Sequence, residues 1–258
     1  MTAVAVLAGK ASPGATTLAA AMTLAWPGPI LLIDADPGGG DVVPGLLPGR
    51  ASTESGLLSW SVATRHLPAL EATAAMVEHV LALPEAGDAW VMPGLQSGSQ
   101  AAVLAASGWT RLATAVERCP SVLGRDVLLD AGRLGEGTCW PVIAACDVVL
   151  LVARPTARSV QAARAAAQTL ATRLGDLDSV RLVVNGCGPY SPAQTAAAIG
   201  NGIGHVHTTP GDARAAAALV DGSVATVRGL TRTRLVRAAG QVAQRLTETT
   251  TGSSVGVS

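Results

Sequence analysis

Residues 3–41 read AVAVLAGKASPGATTLAAAMTLAWPGPILLIDADPGGGD, and this stretch decides the fold. An apolar run, residues 4–8, meets a small-residue loop over 9–15. Two threonines, Thr16 and Thr17, open an Ala/Leu-rich helical pattern. A second apolar run ends in Asp34-Ala35-Asp36. Strand, phosphate-sized loop, helix and acidic strand end, in that order, are the parts of a nucleoside-triphosphate site.

Gly9 and Gly14 have the G-x-x-x-x-G spacing of a loop that wraps phosphates with backbone N–H groups. Such a loop delivers them to a helix N-terminus, where the dipole favours negative charge. Thr16 stands where a hydroxyl ligand of Mg²⁺ is expected. The position before it, where a lysine is expected, is Ala15. A lysine does occur at the front of the loop, Lys10. It is the single lysine of the chain, the other seventeen of its 18 basic residues being arginine. A compact ammonium suits a phosphate loop better than a planar guanidinium fork does. The plainer alternative is a stray solvated lysine.

Lys10-Ala11-Ser12-Pro13-Gly14-Ala15-Thr16-Thr17 resembles the deviant Walker A motif, K-G-G-x-G-K-[ST]-[ST], of ParA/MinD-type partition and positioning ATPases. Residues 31–36, LLIDAD, are similar to their second acidic motif, and 127–130, VLLD, to their Walker B strand. Residues 147–152, DVVLLV, look like the next core strand. Residues 182–185, LVVN, resemble the strand whose terminal Asn reads adenine. Pro210-Gly211-Asp212 is similar to their late P-x-D turn.

The resemblance implies a doubly wound α/β domain, a mostly parallel sheet with helices on both faces, binding ATP and Mg²⁺. It implies that Gly9, Lys10, Ser12, Pro13, Gly14, Ala15, Thr16 and Thr17 surround the phosphates. Thr16, Asp34 and Asp130 would serve the metal, and Asp36 would position the attacking water. Asn185, Pro210 and Asp212 would lie on the adenosine side. In the family the front lysine, matched by Lys10, crosses a nucleotide-sandwich homodimer to the partner's phosphate. The chain therefore resembles an ATPase that keeps its trans lysine and lacks its cis one. Losing a donor to a developing phosphoryl charge slows turnover by about a hundredfold or more, so ATP binding with weak hydrolysis is expected. The alternative is a catalytically inactive scaffold acting through protein contacts, for instance in secretion or pilus assembly. A metabolic ligase or amidotransferase of the same fold is a third reading, without a visible second substrate site.

The 258 residues suit one large α/β domain over 1–246, with a disordered polar tail over 247–258. Strand–helix alternation supports that class independently of the family. No apolar run reaches the roughly 18 residues of a membrane span, and no leader opens the chain; a soluble cytoplasmic protein is expected. Formal net charge is zero, so overall electrostatics do not argue for DNA or anionic lipid. Four cysteines show no paired C-x-x-C spacing, and small buried thiols explain them better than zinc. His205 and His207 share one face of a short strand without a third ligand nearby.

The pattern predicts strands over 30–33, 125–130, 147–153 and 180–185, and helices over 17–25, 56–64, 67–83, 100–118, 157–174, 191–199, 213–220 and 232–246; residues 89–94, AWVMPG, resemble a further strand of the family. Residues 37–56 are rich in Gly and Pro, and the resemblance implies a mobile nucleotide-sensing switch loop there, to which Asp41 could contribute. Arg133 could approach a phosphate, although arginines are mostly solvated. Asn185 could read adenine or simply end its strand in a turn. Arg228, Arg232, Arg234 and Arg237 form the best candidate patch for non-specific DNA or a protein partner.

Overall fold

The computed structural model describes residues 1–10, 13–50, 54–83, 86–200, 202–222 and 227–253. Eight strands form one sheet: β1 (Ala3–Ala8), β2 (Ile30–Asp34), β3 (Leu81–Leu83), β4 (Ala89–Met92), β5 (Asp126–Arg133), β6 (Val148–Ala153), β7 (Val180–Asn185) and β8 (His205–Thr209). Their spatial order is β3-β4-β2-β5-β1-β6-β7-β8. Every pairing is parallel except that of the edge strand β3 with β4. The helices are α1 (Ala15–Thr23), α2 (Val42–Leu46), α3 (Leu57–Thr64), α4 (Ala69–Ala74), α5 (Gly98–Leu123), α6 (Trp140–Ala144), α7 (Ala157–Leu174), α8 (Pro192–Ile199), α9 (Ala213–Asp221), α10 (Val227–Leu230) and α11 (Arg234–Ser253).

β1, β2 and β6 are buried along their whole lengths. That is why they read as unbroken apolar runs: a parallel strand covered on both faces has no solvated side to alternate with. The period of two still sorts their side chains. Ala3, Ala5 and Leu7 join the core under α3, α5 and α7 with Trp60, Leu112 and Leu170. Val4, Val6 and Ala8 join the opposite core with Leu18, Leu219 and Val236 from α1, α9 and α11.

Several elements differ from the sequence expectation. The helix expected over 67–83 breaks up: α4 ends at Ala74, a 3₁₀ turn spans Ala75–Glu78, and the chain adds β3. There Ala82 lies opposite Trp90 of β4 in an antiparallel ladder, so hydrogen bonding to a distant strand overrides a weak helical period. β5 continues past Asp130 to Arg133. The last helix begins at Arg234 and continues past Leu246 to Ser253, while 254–258 lie outside the described residues.

Candidate nucleotide site

β1 ends at Ala8, and Gly9 follows against α7; a Cβ there would come 2.4 Å from the carbonyl oxygen of Ala162. Ala11 and Ser12 lie outside the described residues. The loop closes at Gly14, whose φ of 97° is left-handed, a conformation glycine adopts without a steric penalty. Gly14 is also the N-cap of α1, and no side chain caps that helix. Its carbonyl accepts from Leu18 N–H at 2.9 Å, leaving the first-turn amides around Thr16 and Thr17 facing a cleft of about 600 Å³. Pro13, Gly14, Ala15, Thr16 and Thr17 line that cleft with Asp36, Asp41, Gly132, Arg133 and Arg154.

The two strand-end acids meet behind it. Asp34 and Asp130 are partners in the β2–β5 register and are almost wholly buried, 1% and 0% exposed. Asp34 accepts from Val42 N–H through Oδ2 at 3.1 Å. It is boxed in by glycines: a Cβ on Gly40 would come 2.3 Å from Oδ2, and one on Gly94 would come 2.7 Å from Cγ. Burial, with the Asp130 charge beside it, raises the Asp34 pKa well above the ordinary carboxylate range. Asp130 accepts from Gly132 N–H through Oδ1 at 3.1 Å. Burial pushes it up to about 6, against the pull of the Thr16 hydroxyl and Gly132 N–H. Its Oδ2 is buried and makes no hydrogen bond among the described residues.

A buried acid with an orphaned oxygen, a second acid raised by its nearness, and a threonine hydroxyl at the same place fit a divalent cation. The uncapped helix start in front of them fits phosphate.

Asp36 lies two residues beyond the end of β2, half-buried, and lines the cleft. Its Oδ1 accepts from Gly38 N–H at 2.7 Å. Burial raises its pKa and the Arg133 guanidinium offsets part of that. Gly132, which no sequence pattern singles out, makes this packing possible. From Val6↔Asp130 to Ala8↔Arg133, β1 advances two residues and β5 three, so β5 carries a one-residue bulge. Gly132 sits in it with φ 63°, and a Cβ there would fall 2.1 Å from the Asp36 carboxylate carbon.

Other expected residues stand apart from the cleft. Lys10 is exposed and lines the neighbouring cavity with Asp36, Gly38 and Glu136 instead. Asn185 braces the loop: its Nδ2 donates to the Pro13 carbonyl at 2.7 Å and its Oδ1 accepts from the Thr209 hydroxyl at 3.0 Å. Pro210 follows that contact, and Asp212 caps α9 by accepting from Ala215 N–H at 3.0 Å. None of these three residues lines the cleft, and Asn185 alone of them is bonded to the loop. Arg154, which no motif singles out, also lines the cleft.

Of the arginine patch, Arg232, Arg234 and Arg237 are exposed at the start of α11, while the Arg228 side chain lies outside the described residues. His207 is buried in β8 and His205 exposed, and no group of three or more His, Cys, Asp or Glu side chains able to hold a metal occurs among the described residues. No helix among them is long and apolar enough to cross a membrane.

No protein-family model and no curated protein sequence matches the chain significantly, so the likeness is one of structure. A ParA family ATPase from Chlorobium tepidum superposes with a TM-score of 0.72 at 14% identity, covering 94% of this chain and 98% of that one. The septum site-determining protein MinD of Pyrococcus horikoshii, complexed with Mg-ADP, gives 0.64 at 14% identity over 95% of both. A singly substituted McdA of Cyanothece in complex with ATP gives 0.67 at 14% identity, covering 95% and 96%. The chain has the fold of the ParA/MinD-type P-loop ATPases.

Proposed function

We propose that this chain binds ATP with Mg²⁺ in the cleft before α1 and acts as a nucleotide-dependent switch that positions or partitions a cellular cargo. The observation that carries the reading is the buried Asp34–Asp130 pair with its unpartnered Asp130 Oδ2 behind Thr16. Mg²⁺ bound with the nucleotide neutralises phosphate charge and relieves that pair. Thr16 and Asp130 would hold the metal, with Asp34 supporting them. Asp36, held by Gly38 and crowded by Gly132, orients a water at the phosphate end. The α1 amides orient the phosphates, and Asn185 keeps the loop in shape. Lys10, exposed and outside the cleft, is free to reach the nucleotide of a second copy, which supports a nucleotide-dependent homodimer. Structural neighbours in complex with ATP and with Mg-ADP support the choice of ligand. The exposed arginines opening α11 offer a surface for a protein partner or non-specific DNA.

Ala15 favours a second reading, a scaffold that binds nucleotide poorly or not at all. Titration of Mg·ATP against the wild type and Lys10→Ala, reading binding, dimer mass and phosphate release, separates the two. Binding with dimerisation that fails in Lys10→Ala supports the switch; no binding at millimolar ATP supports the scaffold. Ala15→Lys is expected to raise turnover at least tenfold.

A further inference from the structure

A phosphate loop without its lysine has a charge deficit, and the cleft contains a candidate that offsets it. Ala15 is buried and brings only a methyl group to the place of the amine. Lys10 does not repair this within one chain, since it lines the adjoining cavity rather than the cleft over Gly14–Thr17. Two other cations do line that cleft, Arg133 and Arg154. The charge of Arg133 is engaged with Asp36, whose pKa it lowers. The guanidinium of Arg154 has neither a carboxylate partner nor a hydrogen bond among the described residues.

Its backbone, by contrast, is fixed. β6 runs in register with β1, Ala8 opposite Val152, so Arg154 emerges beside the point where β1 gives way to the phosphate loop. Its N–H donates to Ser159 Oγ at 2.9 Å, and its carbonyl accepts from Thr156 N–H at 2.8 Å. Pro155 is wedged so closely that a Cβ on Gly188 would approach its carbonyl oxygen to 2.2 Å. A rigid base, a free planar fork and an anion-shaped cleft are the conditions under which arginine grips phosphate through two parallel hydrogen bonds.

We infer that Arg154 supplies, within the same chain, the cation for the nucleotide phosphates that Ala15 cannot. This rests on the nucleotide reading above. It predicts a trade: an amine restored at 15 makes Arg154 dispensable, which a merely structural arginine would not do.

The test is calorimetric titration of Mg·ATP into the full chain, as wild type, Arg154→Ala, Arg154→Gln, Ala15→Lys and Ala15→Lys/Arg154→Ala, each first checked for an unchanged nucleotide-free melting curve. Removing Arg154 by either substitution is expected to weaken ATP binding roughly tenfold to a hundredfold, the range for a hydrogen bond to a charged group. In the Ala15→Lys background the same loss is expected to shrink to about threefold or less. ATP binding within about twofold of wild type in Arg154→Ala and Arg154→Gln overturns the inference and leaves the nucleotide reading intact. An equal loss in both backgrounds also overturns it. A wild type that binds no ATP at millimolar concentration overturns both.

Discussion

Asp130 carries a burial cost that a bound cation would relieve. An acid at 0% exposure with one oxygen unpartnered is an expense the nucleotide-free fold carries. Its folded pKa of about 6 lies above the unfolded value near 3.9, so the folded state holds the proton more tightly. The cost is therefore complete above about pH 6 and fades as the pH falls toward 4. Asp130→Asn is expected to stabilise the nucleotide-free protein by on the order of 1–3 kcal/mol at pH 7.5, with the gain shrinking below about pH 6. Denaturant unfolding across that pH range checks it, and the same variant should lose Mg²⁺-dependent ATP affinity. Gly132→Ala tests the neighbouring contact. Its methyl group would collide with the Asp36 carboxylate at a backbone conformation that already disfavours side chains, a loss of about 2 kcal/mol or more. Chemical denaturation measures the loss, and a crystal structure should show Asp36 displaced. The acids themselves were legible in the sequence, because two carboxylates ending one strand after a P-loop are unusual. Gly132 was not, because its need arises from Asp36, ninety-six positions away and a neighbour only in space.

At the scale of elements, the strands that sequence patterning reads well are the ones buried on both faces, and those it reads poorly are set by partners. β6 appears as an unbroken apolar run and ends as expected at Ala153. β3 has three residues and a register fixed entirely by β4, so nothing in Leu81-Ala82-Leu83 distinguishes it from a helical turn. The switch region shows the same division. Residues 37–56 read as a Gly/Pro-rich loop, yet Val42–Leu46 form α2 with four buried residues, seated on α9. The seat is glycine-tight: a Cβ on Gly45 would lie 1.7 Å from the Leu219 carbonyl oxygen. Gly45→Ala is expected to push α2 off α9 and destabilise the protein by about 1–3 kcal/mol. Val42 N–H is the group that holds Asp34. Hydrogen exchange at 40–47 should therefore quicken, and nucleotide affinity should fall in step.

For the molecule as a whole, the loop before α1, the Asp36–Asp41 segment after β2 and the Gly132–Arg133 end of β5 line one cleft at the carboxyl ends of the central strands, where an open parallel sheet leaves room for a ligand. ATP bound there would stabilise the entire fold by mass action, by about 2.7 kcal/mol at a hundred times the dissociation constant. For a domain of this size that corresponds to a melting shift of roughly 5–10 °C. Thermal unfolding with Mg·ATP should show the shift, and chelating the metal should remove most of it, since the Asp34–Asp130 repulsion then returns.

Readable in the chain alone are the sheet's central strands, the Gly9-to-Gly14 spacing, and the acids at 34, 36 and 130. Each is a local pattern, written in consecutive residues by burial on two faces or by spacing along one strand. The packed fold is what sets Asn185 against Pro13 and Gly132 against Asp36. It alone places Lys10 outside the phosphate cleft and Arg154 inside it. Those relations depend on which strands lie side by side, and strand order is fixed by packing energy summed over the whole sheet.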